Sequence, residues 1–179
     1  YLTNNILRSN GYRKYEISNY SKPGKECKHN IGYWQRKEYL GFGIGAASLY
    51  KENRYNNISD INKYIEVLTN NIKEKSINNV ENSSEVENQV NILNRIVKNL
   101  QQLTERDRME EFMFLGLRMM EGVSMEKFER YFGKPYMEVY GKVQKKMEDK
   151  RFLINDNGYV KLTEFGIDLS NYVMSEFLF

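Results

Sequence analysis

The chain has 179 residues, with 27 lysines and arginines against 24 aspartates and glutamates, one histidine, one cysteine and a formal net charge of +3. So even a balance does not mark a nucleic-acid binder, and one cysteine excludes a disulfide framework, a structural zinc site or an iron–sulfur cluster built from this chain alone. The length suits one ordinary domain, or a small domain with part of another.

No apolar run reaches the length of a bilayer-spanning helix, and the first residues lack the charged start and apolar core of a signal peptide. The absence of an initiator methionine gives the expectation of a piece cut from mid-protein. Leu2, Ile6 and Leu7 suit the tail of an amphipathic helix that stops at Asn10-Gly11. The aromatic and β-favouring run that follows predicts a buried strand over 14–18, so helix and strand form half of an α/β unit. Pro23-Gly24 forces a turn into a predicted loop over 27–34.

That loop gathers Cys27, His29, Tyr33 and Trp34, including the chain's only cysteine, histidine and tryptophan. Imidazole and thiolate ligate heme iron, and aromatics pack on a flat macrocycle. A lone histidine among aromatics is also a common structural group, and spacing alone leaves both readings open. Gly41, Gly43 and Gly45 recur at every second position. They admit either a closely approaching ligand or a crowded strand edge, and no helix start follows in the register of a dinucleotide fingerprint.

Three motifs in order carry a resemblance. They are Gly11-Tyr12-x-x-Tyr15-Glu16-Ile17-Ser18-Asn19-Tyr20 with Lys22-Pro23-Gly24, then Cys27-x-His29-Asn30-x-x-Tyr33-Trp34, then Tyr39-Leu40-Gly41-x-Gly43-x-Gly45-Ala46-x-Ser48. They resemble the signatures of the oxygen-independent coproporphyrinogen III oxidase-like family of radical SAM proteins, in its HemW branch of heme chaperones. Weaker similarity runs through 110–118 to the end. The family carries an N-terminal radical SAM barrel with a CxxxCxxC motif that this chain lacks, and it usually has histidine where Ala47 stands.

The resemblance implies a fold and a set of sites. The fold class is α/β (α+β): the end of a partial radical SAM (β/α) barrel, then a mostly helical, winged-helix-like C-terminal domain. The implied divisions are 1–69, the barrel end and its extension; 70–103, a linker or insertion helix; and 104–179, the terminal domain. Cys27, His29, Asn30, Tyr33 and Trp34 would bind heme, with His29 on the iron. Ser21, Gly43 and Ala47 would lie on the S-adenosyl-L-methionine side. S-adenosyl-L-methionine and a 4Fe-4S cluster would belong to the full-length parent only. The implied function is heme binding for transfer to an acceptor protein in the cytoplasm. The alternative is oxidative decarboxylation of coproporphyrinogen III in porphyrin biosynthesis, with this fragment inactive alone.

In the middle, Ile58, Ile61, Tyr64, Ile65 and Leu68 predict a helix started by Ser59 and Asp60. The polar run over 70–84 reads as a linker. Val86, Val90, Leu93, Val97 and Leu100 predict a second, surface helix.

The last third is the most regular. Thr104 with Asp107 predicts a capped helix carrying Met109, Phe112, Met113, Leu117 and Met120, ended by Glu121-Gly122. Ser124 opens a short helix closed by Gly133, and Pro135 opens a third. Asn155-Asp156-Asn157-Gly158 predicts a hairpin, and Thr163 caps a final helix. The third helix mixes Lys142, Lys145, Lys146, Lys150 and Arg151 with Glu138, Glu148 and Asp149, which reads as a solvated face rather than a DNA reader.

Overall fold

The computed structural model describes residues 2–77 and 95–179. It is a mixed helix and sheet structure in two compact units, one formed by Tyr1–Lys37 with Thr104–Phe179 and the other by Glu38–Leu103. The first unit is therefore discontinuous, whereas the divisions expected from sequence run in chain order.

The helix α1, Leu2–Ser9, opens the first unit. It leads to the strands β1, Arg13–Lys14, and β2, Tyr20–Ser21, which pair antiparallel. This corrects the strand expected over 14–18. The chain turns back at Ser18-Asn19, where the Tyr15 N–H donates to the Asn19 carbonyl at 3.2 Å. Only a bridge between Glu16 and Met119 continues the pairing. The segment 27–34 is likewise no loop but the helix α2, Lys28–Trp34.

In the second unit, β3 (Ala47–Tyr50), β4 (Asn53–Asn57) and β5 (Val97–Gln102) form an antiparallel sheet in sequence order. Between β4 and β5 runs α3, Ile61–Ile77, started where Asp60 Oδ1 accepts from the Asn62 and Lys63 N–H groups at 3.0 and 3.1 Å. The helix passes straight through 70–77, which corrects part of the expected linker; its remainder, 78–84, lies outside the described residues. Val97 and Leu100 belong to a strand rather than the expected second helix, while Val86, Val90 and Leu93 lie outside the described residues. Local spacing suited a helix there, but pairing with β4 supplies hydrogen bonds that local spacing does not reveal.

The terminal stretch packs α4 (Glu105–Gly116), α5 (Met125–Phe132) and α6 (Tyr136–Asp149) with a sheet of β6 (Val123–Ser124), β7 (Leu153–Asp156) and β8 (Tyr159–Leu162) in the order β6-β8-β7. Thr104 and Asp107 form the expected capping box. Ser124 Oγ accepts from the Lys127 N–H at 3.2 Å, and Gly133 ends α5 in the left-handed region. Pro135 is the cap residue just before α6 rather than its first turn. The hairpin turns at Asn157-Gly158, both with positive φ. The final helix is two short ones, α7 (Glu164–Asp168) and α8 (Ser170–Ser175), joined at Leu169.

One cluster of buried side chains closes this stretch, including Met109, Met113, Leu117, Phe128, Tyr140, Met147, Val173 and Phe177. The helical spacing of the methionines thus marks core. Two glycines mark its tightest approaches. A Cβ on Gly166 would stand 2.0 Å from the Phe152 carbonyl oxygen, and one on Gly122 2.3 Å from that of Val160.

Candidate functional site

The helix α2 exists because of how it ends. Its cap, Cys27, offers no side-chain hydrogen bond. At the other end the Lys37 N–H donates to the Gly32 carbonyl at 2.9 Å and the Arg36 N–H to that of Tyr33 at 3.0 Å. That is a Schellman closure with Arg36 in the left-handed position, φ 57°, where glycine would be unstrained. The arginine's side chain is what the position supplies. It is 5% exposed, and its Nε donates to Glu111 Oε2 on α4 at 2.8 Å. Its Nη1 donates to the Tyr131 hydroxyl at 3.3 Å.

The helical turn sorts the motif onto two faces, because successive side chains rotate by about 100°. His29 and Tyr33, four apart, share the outer face, their rings edge to face with centroids 4.6 Å apart. His29 and Cys27 are exposed. Among the described residues the His29 imidazole has no hydrogen-bond partner. Trp34 lies about 140° further round. Its ring faces the Arg118 guanidinium at 4.2 Å. Asn30, four before Trp34, shares that inner side and is half-buried.

Arg118 ties the second motif to the first. Its Nη2 donates to Glu16 Oε2 at 3.1 Å, and Glu16 Oε1 accepts from the Ser18 N–H at 2.7 Å. The Glu16 carboxylate is wholly buried, so the guanidinium supplies the charge that burial requires. The backbone repeats the link, with the Ile17 N–H on the Arg118 carbonyl at 2.9 Å and the Met120 N–H on that of Tyr15 at 3.1 Å.

Behind α2 lies a mostly apolar pocket of about 250 Å³, with Trp34, Phe112, Met119 and Val123 in its walls and Lys37 and Lys127 at its rim. A wider cleft of about 770 Å³ carries Arg8, Arg13 and Lys14 against Glu164 and Asp168, a mixed lining that selects no single ligand charge.

Residues 103–169 match the family model described as the HemN C-terminal domain. The chain is 36% identical over 173 residues to the heme chaperone HemW of Lactococcus lactis subsp. lactis (strain IL1403), covering 97% of this chain and 39% of that protein. It is 31% identical to the heme chaperone HemW of Bacillus subtilis (strain 168), covering 96% of this chain and 40% of that one. The chain thus matches the C-terminal part of HemW-type heme chaperones over nearly its whole length, and the HemN C-terminal domain over residues 103–169. It spans about two fifths of the length of these relatives. The solved coproporphyrinogen III oxidase HemN from Escherichia coli, a radical SAM enzyme by its description, has the same fold over 98% of this chain and 39% of its own, with a TM-score of 0.66 at 13% identity.

The structure brings His29, Asn30, Tyr33 and Trp34 onto one short helix, on two faces of it, with Cys27 as its cap residue. Ser21 lies in β2, buried, with its Oγ unpartnered among the described residues. Gly43 and Ala47 belong to the other compact unit. There the glycine run is a turn rather than a strand edge, with Gly43 and Gly45 at φ 92° and 66°. Asn57 Nδ2 donates to the Gly41 and Gly43 carbonyls at 3.1 and 2.8 Å. Only Gly41 is crowded, since a Cβ there would stand 2.2 Å from the Ala47 carbonyl oxygen. Phe42, at 86% exposure, and Ile44 project from this turn. Among the described residues no three histidine, cysteine or acidic side chains are placed to hold a metal ion. No helix among them is long and apolar enough to cross a membrane.

Sequence reasoning missed the roles of Glu16, Arg36, Glu111 and Arg118. One signal was present: a glutamate between Tyr15 and Ile17, in a run expected to be buried, demands a cationic partner.

Proposed function

We propose that this chain is the heme-presenting part of a HemW-type protein, with the exposed His29 imidazole as axial ligand to the iron of heme carried as cargo. The observation that supports it most is the exposed His29 imidazole on the outer face of α2, which has no hydrogen-bond partner among the described residues and stands beside Tyr33. Such a nitrogen is free to coordinate, and the tyrosine ring offers an edge for a flat ligand. Cys27, exposed at the helix start, is the competing donor. Asn30 and Trp34 contribute from the inner side of the helix.

The wider reading places 1–69 at the end of a radical SAM barrel, 70–103 as a connecting insertion and 104–179 as a winged-helix-like domain. The uncovered apolar residues of α1, Leu2 and Ile6, suit a helix whose partners lie elsewhere. Ser21, Gly43 and Ala47 would face S-adenosyl-L-methionine in the parent, which would also hold the 4Fe-4S cluster, since one cysteine cannot. The parent would work in the cytoplasm and pass heme to an acceptor protein. Nucleic acid is not a partner in this reading. Two basic groups near the end of α6 are already engaged, Lys146 with Glu176 and Lys150 with the Tyr172 hydroxyl. The oxidase reading draws on the shared fold, and fold alone does not give function.

The test is heme titration of wild type, His29→Ala and Cys27→Ala, followed by the Soret band. The expected result is a changed band and weakened binding for His29→Ala alone. An unchanged spectrum and affinity in that variant removes the assignment, and a shift in Cys27→Ala alone transfers it to the thiolate.

A further inference from the structure

The pocket behind α2 has features that the axial-ligand reading leaves unused. Its walls are apolar side chains from three places: Trp34 on α2, Phe112 and Met119 on and after α4, and Val123 on β6. The Trp34 indole N–H is buried and donates to nothing among the described residues. An orphaned donor of this kind marks a missing acceptor. Two lysines belong to the lining, Lys37 just after α2 and Lys127 on α5, both exposed and without a partner among the described residues. Arg36, also in the lining, is committed to Glu111. Glu121 is the one lining carboxylate. An acceptor that suits this set is an anion on an apolar stem: the stem enters between the aromatic and methionine side chains, and the anion meets two lysines and an N–H.

At about 250 Å³ the pocket is below the range of roughly 300–1,000 Å³ in which whole ligands are enclosed. It takes an edge of a large molecule rather than all of it. Trp34 lies about 7.5 Å along the axis of α2 from His29, within the span of one macrocycle, but about 140° round it. The pocket therefore cannot hold the iron that the imidazole would bind.

We propose that this pocket seats a propionate-bearing edge of a porphyrin, with Lys37 and Lys127 as counter-charges and the Trp34 indole N–H as oriented donor. The proposal rests on the heme reading above and adds the part of the ligand that sets its orientation. Free carboxylates are what the lysines recognise, so blocking the propionates removes their contribution.

The experiment titrates the 179-residue chain with ferric heme and with heme dimethyl ester, for wild type, the double variant Lys37→Glu/Lys127→Glu, and His29→Ala. Affinity comes from the Soret band and from quenching of Trp34, the chain's only tryptophan. The double variant is expected to bind heme about tenfold more weakly, with the Soret maximum of wild type, and to bind the ester as wild type does. Both lysines are exposed, so circular dichroism is expected to show the fold intact. Equal heme affinity in wild type and double variant overturns the proposal, as does an equal loss for heme and ester. If His29→Ala changes the band while the double variant does nothing, the axial ligand stands and the pocket falls. If the double variant alone loses affinity, the pocket stands and the axial ligand falls. No binding by wild type removes both.

Discussion

The two compact units differ in what holds them. The terminal stretch contributes fifteen residues to one buried apolar cluster, all between Met109 and Phe177. Among the described residues of the second unit the buried apolar side chains are Leu49, Ile58, Val67, Ile96 and Leu103, none of them as deeply closed off as Phe128 or Leu117. The motif-bearing segment 1–37 has neither kind of core: α1 and α2 bury no residue completely. It is fastened to the terminal stretch by polar clamps, Glu16 to Arg118 and Arg36 to Glu111, with Trp34 against the Arg118 guanidinium and only Ile17 packed on the apolar cluster. Apolar burial is broad and non-directional, whereas a guanidinium on a carboxylate fixes geometry. The lesson is a division of labour, in which a conventionally packed body holds a short helix at a set angle and leaves His29 on its outer face exposed.

The largest expected effect breaks the body itself. Phe128 is fully buried and meets the rings of Phe112, Phe132, Tyr136 and Tyr140 at centroid distances of 4.8–5.7 Å. Phe128→Ala leaves a cavity there and is expected to cost about 3–5 kcal/mol. Urea unfolding followed by circular dichroism measures it. A loss under about 1 kcal/mol would mean that the cluster collapses around the gap and is not the close-packed body described.

A smaller effect separates the clamp from the body. Arg118→Met keeps an apolar stem but leaves the buried Glu16 carboxylate with only the Ser18 N–H, and is expected to cost about 3 kcal/mol. Adding Glu16→Gln recovers part of that, because the unpaired charge is gone. The emission of Trp34 shifts in Arg118→Met, since its ring loses the stacked guanidinium. Full additivity of the two substitutions would show that the ion pair does not hold the motif segment.

How much of this was legible follows from the same difference. The terminal elements announce themselves locally: Thr104 with Asp107, Ser124, Gly133 and Asn157-Gly158 are caps and turns whose chemistry acts within a few residues. The misread elements are those decided at a distance. Val97 and Leu100 have helical spacing but lie in a strand whose Val97 pairs with Asn57 of β4, forty residues earlier in the chain. The segment 27–34 carries no side-chain cap, and its closing residue is an arginine held by Glu111, 75 positions away. Motif spelling located the candidate site, but only the helical turn separates His29 from Trp34 and reveals that the motif has an outer and an inner face.

The smallest effect tests a local device in the body, and its pH dependence has a definite sign. The Thr104 hydroxyl and N–H both donate to Asp107 Oδ2, at 2.7 and 2.8 Å, and the Asp107 N–H donates to Thr104 Oγ1 at 3.2 Å. These bonds, the hydroxyl's first, hold the Asp107 carboxyl below its ordinary value of 3.8, with Arg106 adding in the same direction. A depressed folded value means that the charged cap stabilises fully above the unfolded value and is lost as pH falls through the folded one. Thr104→Ala removes the hydroxyl and is expected to cost about 1 kcal/mol at neutral pH. At an acid pH below that folded value the wild type loses its carboxylate acceptor too, so the gap between the proteins narrows. Asp156 beside Lys161 and Glu176 beside Lys146 are also held low, but they titrate alike in both proteins and cancel in the difference. Urea midpoints of wild type and Thr104→Ala at the two pH values give the result. A gap that stays constant would mean that the Asp107 carboxylate takes no part in the cap, leaving the threonine oxygen alone to start α4.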